Sequence, residues 1–429
     1  MPKTVTNPRM RRGAVSMRAT LPLTMLGVGG LLLARVAMAA DLGATVDDLL
    51  ARARQLSPDL AAAALDTEAA VSRIEAAGAL SDPTVRLMSD EVDRTSGGRI
   101  NKFYYSIEQE FPGWGKRDLR RSIASAEADQ VRSREKTVAL ELEARVKIAF
   151  VQYFLAYQSI GVTERIHGVF HSHAQLASAR VAQGLGKVQD VLQAELEKTR
   201  LLAEVARLQG DRSTAIAQIN ALLARPRGEP LADPIALTAV PPVENLNNEN
   251  LLERARQANP MIAMSAAEIA AARDGRRLAD KGWYPDVTVS VGGIDRDNGP
   301  PGYTAAIGLK VPLQWGVRDA QIREAAAKAA AADSRRQAAV LRLQGEIEEA
   351  LAGLRAARQV EKILAGKLLP QAELTYRAAL ASYERGAGEL SNVFELEHQR
   401  RRIQLDILKA QVEQRKSLAA LERALGGSP

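Results

Sequence analysis

The chain contains itself twice, and no other feature constrains the fold as strongly. Leu49-Leu50-x-Arg52-Ala53-Arg54-Gln55-x-x-Pro58 returns 202 residues later as Leu251-Leu252-x-Arg254-Ala255-Arg256-Gln257-x-x-Pro260. Pro83-x-Val85 returns as Pro285-x-Val287, and Gly184-x-Gly186 as Gly386-x-Gly388, at the same separation. Pro112/Pro312, Trp114/Trp315, Gly115/Gly316 and Arg117/Arg318 pair at separations of 200 to 201. A unit of about 200 residues written twice must be recognised before any fold is assigned, because each copy is expected to build the same supersecondary piece.

Each copy carries two strand patterns. In the second, Tyr303, Ala305, Ile307, Leu309 and Val311 are apolar and alternate with Thr304, Ala306, Gly308 and Lys310. Val287, Val289 and Val291 alternate in the same way with Asp286, Thr288 and Ser290. In the first, Phe103, Tyr105, Ile107 and Phe111 lie opposite Ser106, Glu108 and Glu110, and residues 83–92 alternate more weakly around Val85 and Leu87. This period of two marks strands with one apolar face. Polar stretches at 93–99 and 295–302 read as the connecting turns. Pro112 and Gly115, then Pro312 and Gly316, stop the strands beside Trp114 and Trp315.

Long helical patterns follow, over 116–183 and 317–385, each about 100 Å at 1.5 Å per residue. Val340, Leu343, Ile347, Ala350, Leu354 and Ala357 step by three and four, as do Val138, Leu142, Val146, Ala149 and Tyr153. Such heptad seams wind helices about one another. Gly168 and Pro370 are expected to bend the two long helices at equivalent places. The Gly-x-Gly pairs turn the chain into returning helices at 188–223 and 390–425. Residues 46–79 read as one further helix, and a proline-rich stretch joins the two copies. The expected organisation is a leader over 1–39; a first repeat over 40–228, with a β-hairpin at 83–111 and a helical hairpin at 116–224; a linker over 229–244; and a second repeat over 245–429, with a β-hairpin at 285–312 and a helical hairpin at 317–426.

Composition enters through charge. The formal charge of +7 is concentrated in Lys3, Arg9, Arg11, Arg12, Arg18 and Arg35, and removing them leaves +1. A nearly neutral remainder gives no electrostatic case for nucleic acid. Those cations flank an apolar run over 21–33 that ends in Ala37-Met38-Ala39, the pattern of a secretory signal cleaved after Ala39, with Met1, Met10 or Met17 as its start. Cysteine is absent, which excludes disulfides, thiolate chemistry and a lipid-modified N-terminal Cys.

Strands of about ten residues are long enough to cross a bilayer when tilted. Four strands alone would leave edges unpaired in hydrocarbon, and the smallest closed membrane barrels have about eight strands. Several copies must then share one barrel. Glu108, Glu110, Thr288 and Ser290 imply a wet lumen inside it. A soluble hairpin packed on helices is the competing reading for either hairpin alone.

The duplicated plan, the FPGWGKR and VPLQWGVR junctions and the run LLPQAELTYRAALASYERGAGELSNVFELE at 368–397 resemble the TolC-type outer membrane factors. The wording EFPGWGKR is nearest to the heavy-metal, CzcC-like or CusC-like, branch. The resemblance implies a mainly α fold with membrane β structure: a homotrimer sharing a twelve-stranded β-barrel in outer-membrane lipid of a Gram-negative bacterium, continued by a periplasmic tunnel of coiled-coil hairpins. It also implies a periplasmic adaptor (membrane fusion) protein and an inner-membrane RND-type pump as partners, and a passive efflux duct that is neither an enzyme nor a holder of a cofactor. A type I protein-secretion duct and a periplasmic coiled-coil adaptor or scaffold remain open as alternatives.

The candidate site is the pair of hairpin tips: Gly184, Gly186 and Asp190 in the first, Gly386, Gly388 and Ser391 in the second, expected to meet the adaptor. Asp190, Glu195, Glu389, Glu395 and Glu397 form a candidate carboxylate ring favouring cations, with Asp190 foremost. The junctions Pro112, Trp114, Gly115, Pro312, Trp315 and Gly316 are expected to join barrel to helices. His167 and His171, four apart on a helix, have metal-binding spacing, but no Cys or nearby carboxylate completes a site, so no metal is assigned. Neither Gly-x-Gly follows a strand in a βαβ unit, which excludes nucleotide binding.

Overall fold

The computed structural model describes residues 42–93, 99–243, 246–296 and 299–428. The leader at 1–39 and the centre of the first turn, 94–98, lie outside the described residues. The helices are α1 (Val46–Leu56), α2 (Pro58–Gly78), α3 (Lys116–Ala182), α4 (Val188–Leu222), α5 (Asn248–Ala258), α6 (Pro260–Asp280), α7 (Trp315–Ile363), α8 (Leu369–Glu384) and α9 (Leu390–Leu425). The strands are β1 (Thr84–Asp93), β2 (Arg99–Phe111), β3 (Asp286–Arg296) and β4 (Gly299–Lys310).

Residues 46–79 are two helices, not the one expected. Ser57, held extended at φ −63° and ψ 120°, ends α1 and caps α2, whose first residue is Pro58. Proline has no N–H to continue the ladder and pushes the preceding residue out of the helical region. Asn259 and Pro260 repeat the break between α5 and α6. The expected symmetric bends are also replaced by an asymmetry. Leu364–Leu368 widens to a π-helical turn ahead of Pro370, which relieves the missing proline N–H, whereas α3 passes through Gly168 unbroken.

The strands form one antiparallel sheet in the order β1-β2-β3-β4. Val85, Ile107, Val291 and Ala305 stand opposite one another in succession, so the odd-numbered positions share a face. The polar loop expected over 295–302 is mostly strand, with a register shift between Ile294 and Arg296. Pro300 and Pro301 are tolerated because they fall at this register shift, between the pairs Ile294/Gly302 and Arg296/Gly299, where neither is set opposite a residue of β3.

The apolar face of this sheet is uncovered. Val85, Leu87, Phe103, Tyr105, Ile107, Phe111, Val289, Val291, Ile307 and Leu309 are all exposed, and Tyr303 reaches 89%. None of them joins a core cluster. The opposite face is polar: Arg86 pairs with Glu108 at 3.1 Å, and Lys310 approaches Glu110 at 3.8 Å. A soluble hairpin would bury the first face on helices; this sheet does the reverse.

The helices supply three cores. One gathers Leu49, Val146, Phe150, Tyr153, Ile219 and Leu223 from α1, α3 and the end of α4, and a second gathers Leu251, Leu343, Ile347, Leu351, Leu354 and Leu421 from α5, α7 and α9. The third, towards the hairpin tips, holds Phe170, Leu201, Tyr376, Leu390, Val393 and Phe394. The stretch between the repeats is part of this packing. Leu231 is buried, and the N–H groups of Ala232 and Ile235 donate to the carbonyls of Leu42 and Ala44 at 2.9 and 3.1 Å.

Candidate functional site

The two tips have the same construction. Gly184 lies at φ +75° and Gly386 at φ +79°, the left-handed region that ends a helix most easily at glycine. The N–H of Gly184 donates to Val181 O and that of Leu185 to Arg180 O; Gly386 N–H and Ala387 N–H donate likewise to Tyr383 O and Ser382 O. A Cβ on Gly186 would stand 2.9 Å from the Val181 nitrogen, so the second glycine is required by close approach of the backbone.

Arg180 ties one tip to the other. Its Nη1 donates to the carbonyl of Tyr383 at 2.6 Å and to that of Glu384 at 3.3 Å, and its guanidinium stands 4.9 Å from the Tyr383 ring centre. Lys187 and Glu389, both well exposed, approach to 3.6 Å beside it. The Tyr383 hydroxyl is pushed up by burial, and Asp190 adds to the shift. Asp190 itself lies in the first turn of α4.

Behind the tips lies a buried polar layer. Glu397 is fully buried and accepts two hydrogen bonds from Arg400, at 2.6 and 3.0 Å. Glu197 accepts from Arg200 at 2.8 Å and meets His398 Nε2 at 3.0 Å. His173 Nε2 lies 3.1 Å from the Tyr376 hydroxyl, with the Phe170 and Phe394 ring centres 6.4 and 6.2 Å from its own. Burial lowers the His173 pKa, and burial, aided by Glu397, pushes Tyr376 up to about 12.

At the other end, the first strand–helix junction is clamped to the start of β3. Lys116, almost wholly buried, donates to Asp286 Oδ1 at 2.7 Å and to Tyr284 O at 2.8 Å. The indole N–H of Trp114 donates to Pro285 O at 3.1 Å, and its ring lies 5.2 Å from that of Tyr284. The two junctions differ in conformation. Trp114 and Gly115 both have positive φ ahead of α3, whereas Trp315 and Gly316 already belong to α7. One extra residue between Pro312 and Trp315 removes the tight turn that strains Trp114.

The profile of the family described as Outer membrane efflux protein matches residues 49–225 and again 251–427. The chain belongs to the outer membrane efflux protein family. A relative of this efflux protein is the cobalt-zinc-cadmium resistance protein CzcC of Cupriavidus metallidurans, 25% identical over 351 residues, or 80% of each chain. Among solved structures, CusC superposes with a TM-score of 0.79 at 17% identity, covering 89% of this chain and 92% of that one. VceC of Vibrio cholerae superposes at 0.76 and 20% identity, covering 89% and 96%. These likenesses establish the fold as that of TolC-type channels.

The structure of this efflux protein places the expected residues unevenly. The tip glycines and Asp190 come together with Arg180 and Tyr383, while Ser391 is exposed at the start of α9. Glu397 leaves the candidate carboxylate ring, because it is enclosed and neutralised by Arg400. Glu195 is paired with Lys198 at 2.9 Å. His171 meets Gln175 at 3.2 Å, and no group of three or more metal-ligating side chains occurs among the described residues. Sequence reasoning missed Arg180 and the buried layer. The layer left a trace: Glu397 continues the three-four stepping of Leu390 and Val393, so an acid falls on the apolar seam.

Proposed function

We propose that this protein is one copy of a homotrimeric channel in the outer membrane of a Gram-negative bacterium, exported by its leader. Two repeats, 40–228 and 245–429, joined by the 229–244 linker, each contribute one hairpin to a shared twelve-stranded barrel and one long helical hairpin to a tunnel below it. The channel is passive. It receives substrate from a periplasmic adaptor, met at the tips around Gly184, Gly186, Asp190, Gly386, Gly388 and Ser391, and from an inner-membrane RND-type pump. Divalent heavy-metal cations are its cargo, a reading supported by its likeness to the cobalt-zinc-cadmium resistance protein CzcC.

One observation carries the proposal. The sheet turns its apolar face outward, has polar residues on the other side, and has no role in the helical core. Uncovered apolar area of this extent marks a membrane or a partner surface. No helix among the described residues is long and apolar enough to span a bilayer. The sheet is read as the lipid-facing element on its own uncovered apolar face. In lipid its edges must be closed by further copies. Fractionation tests the placement: the protein should sediment with the outer membrane and need detergent for release. Recovery as a single soluble chain would end the proposal. Deleting the gene should lower resistance to cobalt, zinc or cadmium; lost export of a protein instead would favour a secretion duct.

A further inference from the structure

The strand–helix junctions hold more than the Lys116 clamp. Where α3 and α7 leave the sheet beside the end of α6, a cleft of about 690 Å³ opens between them. That is the size of a site for a small organic molecule. Lys116 and Arg120 line it from α3, Lys310 from the end of β4, and Arg318 from α7. Asp286 is the one carboxylate in the lining, so four cations leave the wall at +3. Lys116 neutralises that carboxylate at 2.7 Å. The other three cations are poorly answered. Arg120 is exposed and makes no hydrogen bond or ion pair among the described residues. Arg318 donates to the neutral amide of Gln321 at 2.9 Å. Lys310 comes no nearer than 3.8 Å to Glu110, with both side chains exposed, and such a pair contributes little. The repeat shows what Arg318 lacks. Its counterpart, Arg117, is tied to the carbonyl of Gly78 by two hydrogen bonds, at 3.0 and 2.7 Å.

We propose that this cleft binds a phosphate group joined to an apolar body. Arg120, Lys310 and Arg318 surround the phosphate oxygens. Like charges gathered in one concavity repel one another, and an anion between them replaces that repulsion with attraction. Arginine forks match phosphate oxygens in geometry, and a tetrahedral phosphate presents enough oxygens for several cations at once. The rest of the wall suits the organic part. Leu278 and Pro312 lie beside the cations. Val311 and Leu313 carry the exposed apolar row of Ile307 and Leu309 past the end of β4 and into the cleft. Two sources offer this chemistry: the headgroup of a phospholipid and a soluble phosphate ester. The lipid source rests on the membrane placement proposed above, and the soluble source does not.

Native mass spectrometry of the full-length protein in detergent tests the site. The probes are dioleoylphosphatidylglycerol, dioleoylglycerol, which lacks the phosphate, and glycerol 3-phosphate. The phospholipid should add at up to one per chain, and dioleoylglycerol should not add at the same concentration. Arg120→Gln with Arg318→Gln removes two charge-assisted contacts and should weaken phospholipid binding by at least about tenfold. Gly275→Leu is the second variant. Gly275 lines the cleft and a Cβ there meets nothing within 4 Å, so a larger side chain extends into the open space. It keeps every charge, suits a helix better than glycine, and should weaken binding to a similar degree. Circular dichroism and the oligomer mass should match the parent in both variants. Glycerol 3-phosphate that displaces the phospholipid, or binds without it, assigns the cleft to soluble phosphate esters as well. Phospholipid binding that withstands an excess of it assigns the cleft to lipid. Equal binding of dioleoylglycerol overturns the phosphate site, as does undiminished phospholipid binding in both variants. So does failure of both phosphate probes to bind the parent. Each of these results leaves the channel reading, which fractionation decides, as it stands.

Discussion

Replacing Arg180 with alanine should loosen the hairpin tips from one another. Arg180 is the half-buried side chain that crosses from the end of α3 to the end of α8, donating to two backbone carbonyls and stacking on Tyr383. A hydrogen bond from a charged donor contributes about 1.5–3 kcal/mol, and a cation over an exposed ring about 0.5–1 kcal/mol. The 3.3 Å contact adds little, and water recovers part of the loss at the tip. The net coupling is about 2–3 kcal/mol, or roughly 30- to 160-fold in the equilibrium between joined and parted tips. In planar bilayers, Arg180→Ala should raise the fraction of time spent in the highest conductance level by up to that factor, limited by saturation. Arg180→Lys should fall between, because it keeps the charge but cannot stack a planar group or reach both carbonyls. Tyr383→Leu should have the smaller effect, since the acceptors are backbone atoms. An Arg180→Ala channel whose conductance and open fraction stay within twofold of the parent would refute the reasoning.

Lys116→Met should cost about 2–4 kcal/mol, because it strands Asp286 in a mostly enclosed site; chemical unfolding in detergent would measure it, with Asp286→Asn added to restore part of the loss. Valine at Gly184 or Gly386 forces a β-branched residue into the left-handed region at about 1–2 kcal/mol, and should impair efflux in a resistance assay while the oligomer persists. Asp190→Asn should reduce cation over anion preference in reversal-potential measurements; an unchanged preference would remove it from the pathway. His173 has a folded pKa below its unfolded value of about 6.5, so the unfolded chain binds the extra proton first. Its stabilising contribution is complete above that pH and is lost as pH falls, so melting temperature should drop between pH 7.5 and 5, and less so in His173→Gln.

Much of the architecture was readable because it rests on periodicity. The odd-numbered apolar positions of 303–311 and the three-four stepping from Leu343 to Ala357 are local patterns, and local patterns survive without knowledge of neighbours. The break at Ser57 was readable too, but the alanine-rich helical signal on both sides overrode the proline. The 295–302 stretch was misread because Asp295 and the four residues Gly299, Pro300, Pro301 and Gly302 carry turn chemistry, while the pairing of β3 with β4 decides their conformation. At the site, Gly184 and Gly386 announce a turn by type alone. Arg180 announces nothing: its acceptors are carbonyls 203 and 204 residues away, and any helix surface arginine would look the same.

The bonds from Ala232 and Ile235 back to Leu42 and Ala44 join the front of the described chain to its midpoint, across roughly 190 residues. Contacts so distant in sequence form late, because the intervening loop must be closed first. Synthesis delivers the front end long before its mate, so that end waits without its hydrogen-bonding partner until the whole first half has emerged. The clasp therefore acts as a completion check: it can shut only on a molecule whose first repeat is already present, and an interrupted product would be left with a loose, protease-sensitive start.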